Sequence, residues 1–338
     1  DGQCFLFYVF WYGLGRAWIE GLRTDSLYLY EGSAIRVSQL LAALSAVIAL
    51  AATVCLWRRS KRHPASLYVD RLARQAAREA GTPEGEIRSV GVGIPGAVAE
   101  GKILYTCNLP LQDVAFEKLF RAGFDCPVYL ENDANCAAIG EWLYGAGQGL
   151  KNFAMITLGT GLGGGFILNG KPYGGGGMAG EIGHMVIRQG GAPCSCGRRG
   201  CWEAYCSATG LIRRTREAMA AYPESLLHRL AAESGTVDGR TAFQAAEQGD
   251  PAALEVCRAY GADLAEGLTD LVNMLDPEAV AIGGGVAGAP EALLLDPVRK
   301  LVAQACYSRH VGKVPRIVTA VLGGDAGLMG AASLGNVI

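Results

Sequence analysis

The chain has 338 residues, a length that suggests about two domains at roughly 150 residues each. Half of the residues are hydrophobic and 18% are charged, which excludes a disordered chain, because there is enough apolar surface to offset the entropy of ordering. Against 30 Lys and Arg stand 32 Asp and Glu, a formal charge of -2 that gives no electrostatic reason to expect a nucleic-acid partner.

Two apolar stretches dominate the first 57 residues. Residues 37–57 contain no charged side chain and are about as long as a helix that crosses the hydrocarbon core of a membrane. A basic cluster at 58–62 follows, which predicts that the rest of the chain is cytoplasmic. Residues 5–22 carry Arg16 and Glu20, whose spacing lets them pair on one helix face. We therefore predict two transmembrane helices; a buried hairpin in a soluble protein is the alternative, and a signal peptide fits poorly.

From residue 66 the pattern becomes that of an α/β protein. Residues 66–81 have apolar side chains at helical spacing and end on Gly81, a typical C-cap. Short apolar runs predict strands at 153–158 and 278–285, and a short strand running into a Gly/Pro turn at 87–96. Residues 127–145 read as strand, turn and helix.

The later part of the chain adds helices and glycine-rich turns. Residues 207–275 are mainly helical, and one apolar face is formed by Leu264, Leu268, Leu271, Val272 and Leu275. Glycine-rich turns are predicted at 159–165 and 322–332. Strands alternating with helices indicate a mixed or parallel sheet, with ligands at the carboxyl ends of the strands.

Two loops contain residues whose types alone suggest a part in binding or catalysis. The glycines of 159–165 follow a strand, so their amides could bind phosphate oxygens; a tight hairpin explains them equally well. In ENDAN (131–135), Asn132 and Asp133 stand where helix N-caps belong, and capping is the simpler interpretation. A carboxylate at the end of a strand is also suited to a general base.

Four residues have the spacing of a metal site. His184, Cys194, Cys196 and Cys201 are soft or borderline ligands suited to tetrahedral Zn²⁺, and four protein ligands leave no open position, so the metal would be structural. The 11 cysteines in so long a chain indicate a reducing compartment rather than a disulfide framework. Unliganded thiols are the alternative. Glu181 and Glu203 flank the cluster and are either solvated surface acids or ligands for vicinal hydroxyls.

Residues 87–338 resemble the ROK family of sugar kinases and repressors, and most closely its bacterial glucokinases. The matching stretches are GVGIPG, NLP (108–110), ENDAN, LGTGLGGG, AGEIGH (179–184), CSCGRRGCWE (194–203), IGGGVAG (282–288) and GDAGLMGAA (324–332). The resemblance implies an actin-like (ribonuclease H-like), two-lobed fold, preceded here by the membrane segment. It also implies a phosphotransferase that moves the γ-phosphoryl group of ATP to the 6-hydroxyl of glucose or a related aldohexose.

The resemblance also implies roles for individual residues. Asp133 would be the general base. Sugar hydroxyls would be held by Asn108, Asn132, Asp133, Glu181, His184 and Glu203, with His184 also binding zinc beside Cys194, Cys196 and Cys201. ATP phosphates would lie against Gly159, Thr160, Gly161, Gly163 and Gly164, and the adenosine against Gly283, Gly284 and Gly285. Mg²⁺ would neutralise phosphate charge, and the family suggests a homodimer or homotetramer.

The first part of the chain departs from the family. ROK kinases begin with a D-x-G-G-T phosphate loop, and nothing before Gly91 resembles it. Residues 1–60 instead resemble the last membrane helices of prolipoprotein diacylglyceryl transferase, in FLFYVFWYGLGRAWIEGLRTDSLYL and RVSQLLAALS. We expect a membrane segment at 1–62 and a kinase region at 63–338 whose first lobe is incomplete and whose activity is weak or absent.

Three other functions remain open at this point. A membrane-tethered sugar-binding protein would keep the acids and the metal cluster without turnover. A ROK transcriptional regulator would need a helix-turn-helix segment, and the region before the kinase is apolar instead. A residual lipid transferase would lack most of that enzyme.

Overall fold

A computed structural model describes residues 68–81, 83–106, 111–121 and 126–338. They fall into two compact units. The first contains 68–81, 83–87, 118–121 and 126; the second contains 88–106, 111–117 and 127–338. The predicted membrane stretches at 5–22 and 37–57 lie outside the described residues. Within the described ranges, no helix has both the length and the apolar character needed to span a bilayer.

The first unit contributes one described α-helix of its own. Helix α1 (Tyr68–Glu79) confirms the helix predicted at 66–81. Gly81 follows at φ +67, and its amide donates to the Arg78 carbonyl at 3.0 Å. The positive φ explains glycine at this position, because other residues adopt it at a cost. A 3-10 turn at Glu84–Glu86 comes next.

The second unit alternates strands and helices. Its strands are β1 (Val90–Ile94), β2 (Ala97–Ala99), β3 (Lys102–Tyr105), β4 (Gln112–Val114), β5 (Val128–Asn132), β6 (Phe153–Leu158), β7 (Leu162–Leu168), β8 (Lys171–Pro172), β9 (Ala279–Gly283) and β10 (Arg316–Thr319). Helix α2 (Phe116–Arg121) crosses the unit boundary; the remaining helices are α3 (Asp133–Tyr144), α4 (Glu203–Cys206), α5 (Ala208–Ala221), α6 (Leu226–Ser234), α7 (Thr241–Glu247), α8 (Pro251–Leu275), α9 (Leu295–Ala305) and α10 (Ala326–Val337).

Three sheets organise these strands. β1 and β5 pair in parallel, and β2, β3 and β4 form an antiparallel meander. The largest sheet has the order β10-β9-β6-β7-β8, in which β10, β9 and β6 run parallel and β7 and β8 are antiparallel additions. The mixed sheet and the strands at 90–94, 153–158 and 279–283 confirm the predicted α/β architecture.

The largest sheet is buried on both faces. Along β6, Phe153 and Met155 pack with α3 and α10, while Ala154 and Ile156 pack in the larger core with α4 to α9. This alternation follows from the two-residue period of a strand. A helix layer therefore covers each face, which explains why β6 and β9 read as continuous apolar runs in the sequence.

Helix α8 is the longest described helix and carries the predicted apolar face. Leu264, Leu268, Leu271 and Val272 are buried, and Leu275 packs against them. Pro251 opens the helix, and the Asp250 side chain accepts from the Ala253 amide at 2.8 Å. Asp250 also accepts from the Leu226 amide at 2.8 Å, so one carboxylate caps α8 and holds the start of α6.

The Asp250 cap predicts a pH-dependent stability. Burial opposes ionisation, but hydrogen bonds from Ala253, Leu226 and Ser225 outweigh it and lower the pKa of Asp250 below its ordinary value. A lowered folded-state pKa gives stability that is present above the ordinary pKa and is lost as the pH falls through the folded value. We expect Asp250→Ala to lower the free energy of unfolding by about 0.5–2 kcal/mol at pH 7. Urea unfolding should show the difference shrinking below about pH 4.

The exposed Asp270 on the same helix supplies the control. Asp270→Ala should change the unfolding free energy by less than about 0.5 kcal/mol. An Asp250→Ala deficit that stays constant down to about pH 2.5, well below the ordinary pKa of an aspartate, would contradict the assignment of the cap to the ionised form.

The glycine-rich segment predicted as a turn at 322–332 is one only at its start, where Gly323–Asp325 form a 3-10 turn. Residues 326–337 form α10. The reason is close helix packing: a Cβ on Gly330 would lie 1.7 Å from the Cys136 carbonyl oxygen of α3, and a Cβ on Gly140 would lie 2.1 Å from the Ala326 carbonyl oxygen. Glycine is weak in an isolated helix, but here its missing side chain lets two helix backbones touch. Tertiary contact overrides local propensity.

Two glycines of α10 give a matched pair of substitutions. Gly330→Ala should lower the free energy of unfolding by about 1–3 kcal/mol, because α3 and α10 must separate. Gly327 has open space around its Cβ position, so Gly327→Ala should stabilise the helix by up to about 1 kcal/mol. Denaturant midpoints measure both. If the two variants changed stability in the same direction, helix contact would not explain Gly330.

Candidate active site and metal centre

The ENDAN segment places a carboxylate at the start of a helix. Strand β5 runs directly into α3 without the predicted turn. The Asn132 side chain caps α3 by accepting from the Ala134 and Asn135 amides at 2.8 and 3.2 Å, and its Nδ2 donates to the Gly96 carbonyl at 2.9 Å. The capping interpretation of Asn132 is thus confirmed. Asp133 is exposed and accepts from the Ala134 amide at 2.9 Å, so its charge lies at a helix N-terminus.

A glycine hairpin lies against this helix start. The turn Gly159–Gly161 connects β6 to β7, and the Gly159 amide donates to the Gly161 carbonyl at 3.0 Å. The predicted turn at 159–165 is therefore too long, because residues 162–165 belong to β7. The first turn of α5 makes two hydrogen bonds to the hairpin. The Ala208 amide donates to Gly159 O at 2.8 Å, and Thr209 Oγ1 donates to Thr160 O at 2.9 Å.

The glycines of β7 bring that strand against α3 and the segment before the metal cluster. A Cβ on Gly163 would lie 2.9 Å from the Ala134 Cβ, next to Asp133. A Cβ on Gly164 would lie 2.5 Å from Ile182. These close approaches, rather than turn formation, require glycine here, and they place Asp133, the hairpin and the 181–184 segment around one strand.

The predicted metal ligands come together. The ligand atoms of His184, Cys194, Cys196 and Cys201 all lie within 4.8 Å of one another. Cys196 Sγ and Cys201 Sγ are 3.7 Å apart, and His184 Nδ1 is 3.6 Å from Cys194 Sγ. Tetrahedral zinc with Zn–S bonds near 2.3 Å requires sulfur separations of about 3.8 Å. The four residues therefore fit a zinc ion, and Nδ1 is the histidine nitrogen that faces it.

Glu203 connects the metal loop to the hairpin. Its Oε2 accepts from the Leu162 amide at 3.0 Å, and its Oε1 accepts from Ser195 Oγ at 3.3 Å. Residue 203 follows the fully buried Trp202, whose amide donates to Met185 O at 2.7 Å and whose indole donates to Asp263 O at 3.1 Å. The Glu203 carboxylate is therefore half-buried and fixed by hydrogen bonds, unlike a solvated acid on the surface.

Glu181 lies on the other side of the cluster. Its Oε2 is 3.9 Å from His184 Nε2, and its side chain is 47% exposed. Because His184 Nδ1 faces the sulfurs, Nε2 is left on the side of Glu181. The metal cluster is thus flanked by two carboxylates and one imidazole edge, a set of groups able to accept from and donate to hydroxyls.

The three glycines at the end of β9 differ in what they contact. Gly283 and Gly284 pack on β6, where Cβ atoms would lie 2.7 Å from Met155 and 2.5 Å from the Leu158 carbonyl oxygen. Gly285 has open space at its Cβ position and borders a cavity of about 270 Å³ that Phe243 and Gln244 of α7 also line. Of the three glycines, only Gly285 faces the cavity.

Two buried cysteines outside the metal cluster, Cys136 and Cys257, have thiols that are hard to ionise. Burial, with the carboxylates of Glu131 and Asp133 nearby, raises the pKa of the Cys136 thiol to about 12. Burial likewise raises the pKa of Cys257 to about 12. Thiols are reactive as thiolates, so neither Cys136 nor Cys257 is suited to act as a nucleophile at neutral pH.

Sequence reasoning missed three residues that shape the site, and one predicted residue cannot be placed. Asn108 lies outside the described residues. Ser195 and Thr209 were not singled out, although Ser195 stands between two predicted ligands and Thr209 begins a helix after the cluster. Asn135, four residues after Glu131, donates to it at 3.0 Å; that spacing on a strand-to-helix junction was the available signal.

The fold and the site together define a mixed α/β protein whose structural neighbours are actin-like sugar kinases. A ROK family profile matches residues 47–337, and a prolipoprotein diacylglyceryl transferase profile matches residues 1–57. The chain belongs to the ROK family.

Individual relatives make the resemblance more specific. The chain is 40% identical to a glucokinase of Halalkalibacterium halodurans over 72% of this chain and 75% of the relative. A Streptomyces griseus ROK glucokinase solved with glucose and AMPPNP is 38% identical, with a TM-score of 0.66 over 78% of this chain and 86% of that one. A xylose repressor of Bacillus subtilis is 30% identical over 72% of this chain and 60% of the repressor. The chain is a glucokinase-like phosphotransferase by descent.

Proposed function

We propose that this protein is an ATP-dependent hexokinase that phosphorylates the 6-hydroxyl of glucose or a related aldohexose. The observation that carries the proposal is the grouping of Asp133, the 159–161 hairpin and the acids beside the metal cluster around strand β7. Relatives named glucokinases, one of them solved with glucose and a nucleotide, support the substrate pair.

Asp133 acts as the general base in this proposal. It accepts the proton of the attacking hydroxyl while the phosphoryl group is transferred. Phosphoryl transfer has a loose transition state, so positioning and charge neutralisation contribute more than a strong base does. The exposed carboxylate at the N-terminus of α3 is free to meet a substrate hydroxyl.

The sugar is held beside the metal cluster. Glu181 and Glu203 accept from sugar hydroxyls, and His184 donates from Nε2 because Nδ1 faces the metal. Asn132 can add the second hydrogen of its amide group, and Asn108 is proposed by family resemblance alone. When bound, Zn²⁺ cross-links His184 to the 194–201 loop and so fixes these groups. A sugar that lacks a matching hydroxyl would leave a carboxylate unpaired and bind weakly.

ATP is placed on the hairpin side of the site. The amides of Thr160 and Gly161 bind phosphate oxygens, while Gly159 closes the turn and Gly163 and Gly164 shape the strand that follows. Mg²⁺ neutralises phosphate charge. The Gly285 cavity receives the nucleoside. The 338 residues contain no D-x-G-G-T sequence, the second phosphate loop that the family resemblance implies. Because losing one preorganised donor costs about 10²–10³ in rate, we propose that turnover is slow.

We also propose how the chain is divided and assembled in the cell. Residues 1–62 form a membrane segment, anchored through 5–57, and residues 63–338 form the cytoplasmic kinase region, which assembles as a homodimer or homotetramer. Membrane fractionation and light scattering test these two statements.

Purified full-length protein with Mg²⁺, [γ-³²P]ATP and glucose tests the function. We expect slow formation of glucose 6-phosphate, and isothermal titration should show glucose binding. Turnover at the rate of an ordinary glucokinase would refute the impairment. Glucose binding without any transfer would favour a sugar-binding protein that has lost catalysis, a candidate supported by the absent D-x-G-G-T sequence. Absence of both binding and transfer would reject the proposal.

A further inference from the structure

A buried acceptor next to the proposed sugar site has no hydrogen-bond donor in the part of the chain that the structure describes. Asn135, in the first turn of α3, is 8% exposed. Its Nδ2 donates to Glu131 Oε1 at 3.0 Å. Its Oδ1 is buried, and no donor in the described part of the chain lies within hydrogen-bond reach. A buried acceptor without a donor lowers the stability of the protein. A donor that reaches this oxygen in a ligand-bound state would offset that cost.

The orientation of the Asn135 amide is fixed by its neighbour. Glu131 Oε1 also accepts from the Asn132 amide at 2.7 Å, as an ionised carboxylate oxygen does. The NH₂ group of Asn135 must therefore face Glu131, because a flipped amide would set oxygen against oxygen. Oδ1 is consequently directed away from Glu131.

That direction leads to the backbone before Glu181. A Cβ on Gly180 would lie 3.4 Å from Asn135 Oδ1 and 2.3 Å from the Gly164 carbonyl oxygen, and Gly180 has φ +100. Bare backbone thus lies directly over Oδ1. In this segment the Ala179 amide donates to Gly174 O at 3.2 Å, whereas the amides of Gly180 and Glu181 have no acceptor among the described residues.

We propose that Asn135 is a positioning residue for Glu181, and that its Oδ1 accepts from the Gly180 or Glu181 amide when the sugar binds. A small closing movement of 179–181 pairs an orphaned acceptor with an unpaired donor, so the new hydrogen bond forms in a buried place where it is worth most. The hydrogen bond to Asn135 then fixes Glu181 where it contacts the sugar, and the bound sugar in turn stabilises that hydrogen bond. The inference rests on the proposed function, because it takes Glu181 as a sugar ligand.

Hydrogen exchange of the unsubstituted full chain is the first test. Adding saturating glucose should slow exchange in peptides covering 179–184 by about tenfold, as expected for a hydrogen bond formed on binding. Unchanged exchange in a chain that binds glucose by titration calorimetry would overturn the inference and leave the proposed function standing. A chain that binds no glucose would overturn both.

Two variants separate Oδ1 from the rest of the side chain. Asn135→Ala removes the acceptor and the Glu131 contact, and should raise the dissociation constant and KM for glucose by about tenfold while KM for ATP changes less than about twofold. Glu131→Ala removes the partner of Nδ2 and the acceptor of the Asn132 amide but keeps Oδ1, and should weaken glucose binding much less. Equal effects of the two variants, or an equal rise in both KM values for Asn135→Ala, would assign Asn135 a merely structural role. Circular dichroism melts confirm that both variants fold.

Discussion

Asp133→Asn should abolish most of the phosphoryl transfer while leaving glucose binding nearly intact. General-base catalysis contributes about 10²–10⁴ in rate, and an asparagine cannot accept the proton of the attacking hydroxyl. Its amide oxygen can still accept from the Ala134 amide, as Asp133 Oδ1 does at 2.9 Å, so α3 should keep its start. Radiolabelled ATP gives the sensitivity needed for a slow parent enzyme, and titration calorimetry follows the sugar.

Two further measurements make this result specific. Losing the charge at the N-terminus of α3 should cost about 0.3–1 kcal/mol of stability, which denaturant unfolding can resolve from a catalytic defect. Asp270→Asn, on the surface of α8, should leave transfer unchanged. Turnover of Asp133→Asn within about threefold of the parent, well short of the loss that base catalysis implies, would show that another group takes the proton.

Removing one cysteine ligand should cost both the metal and the sugar. Cys196 is the exposed member of the cluster, so Cys196→Ser creates no cavity in the core. We expect the zinc content to fall well below the parent value, and glucose affinity to drop by at least about tenfold. The reason is that the ion would no longer cross-link His184 to the 194–201 loop, so Ser195 in that loop would be held less firmly against Glu203. Elemental analysis and titration calorimetry measure the two losses.

Cys126 supplies the comparison. It is half-buried and is not part of the cluster, and Cys126→Ser should keep both zinc and glucose binding. Structural zinc contributes folding free energy directly, so chelation of the parent should also lower its thermal midpoint. Full glucose affinity in a zinc-depleted Cys196→Ser protein would show that the acids do not depend on the metal.

Elements with a strong local signal were predictable from the residues alone. Strand β6 occupies the predicted 153–158 because an apolar run that ends at a glycine turn and is buried on both faces favours a strand. Asn132 caps α3 as its residue type suggests. The metal ligands were predictable because three cysteines within eight residues, with a histidine nearby, are typical of a zinc site in a chain of this size.

Elements that depend on distant contacts were not predictable. The segment 322–332 reads as a turn, yet α10 forms there because Gly330 and Gly140 let it touch α3. The glycines of 162–165 read as part of a loop, yet they form a strand that needs room for Ala134 and Ile182. In both cases glycine serves close packing, and composition alone cannot distinguish packing from turning.

By itself the sequence determined the α/β class, the grouping of His184 with Cys194, Cys196 and Cys201, and the resemblance to ROK kinases, because each depends on residue types at short, fixed spacing. Only the tertiary structure decided that Glu203 bridges the metal loop and the hairpin and that Gly285 alone of its three glycines faces a cavity. It also decided that Asn135 Oδ1 lies beneath Gly180 with no donor among the described residues. Most of those contacts join residues tens of positions apart, and side chains separated that far in sequence meet only when the core forms.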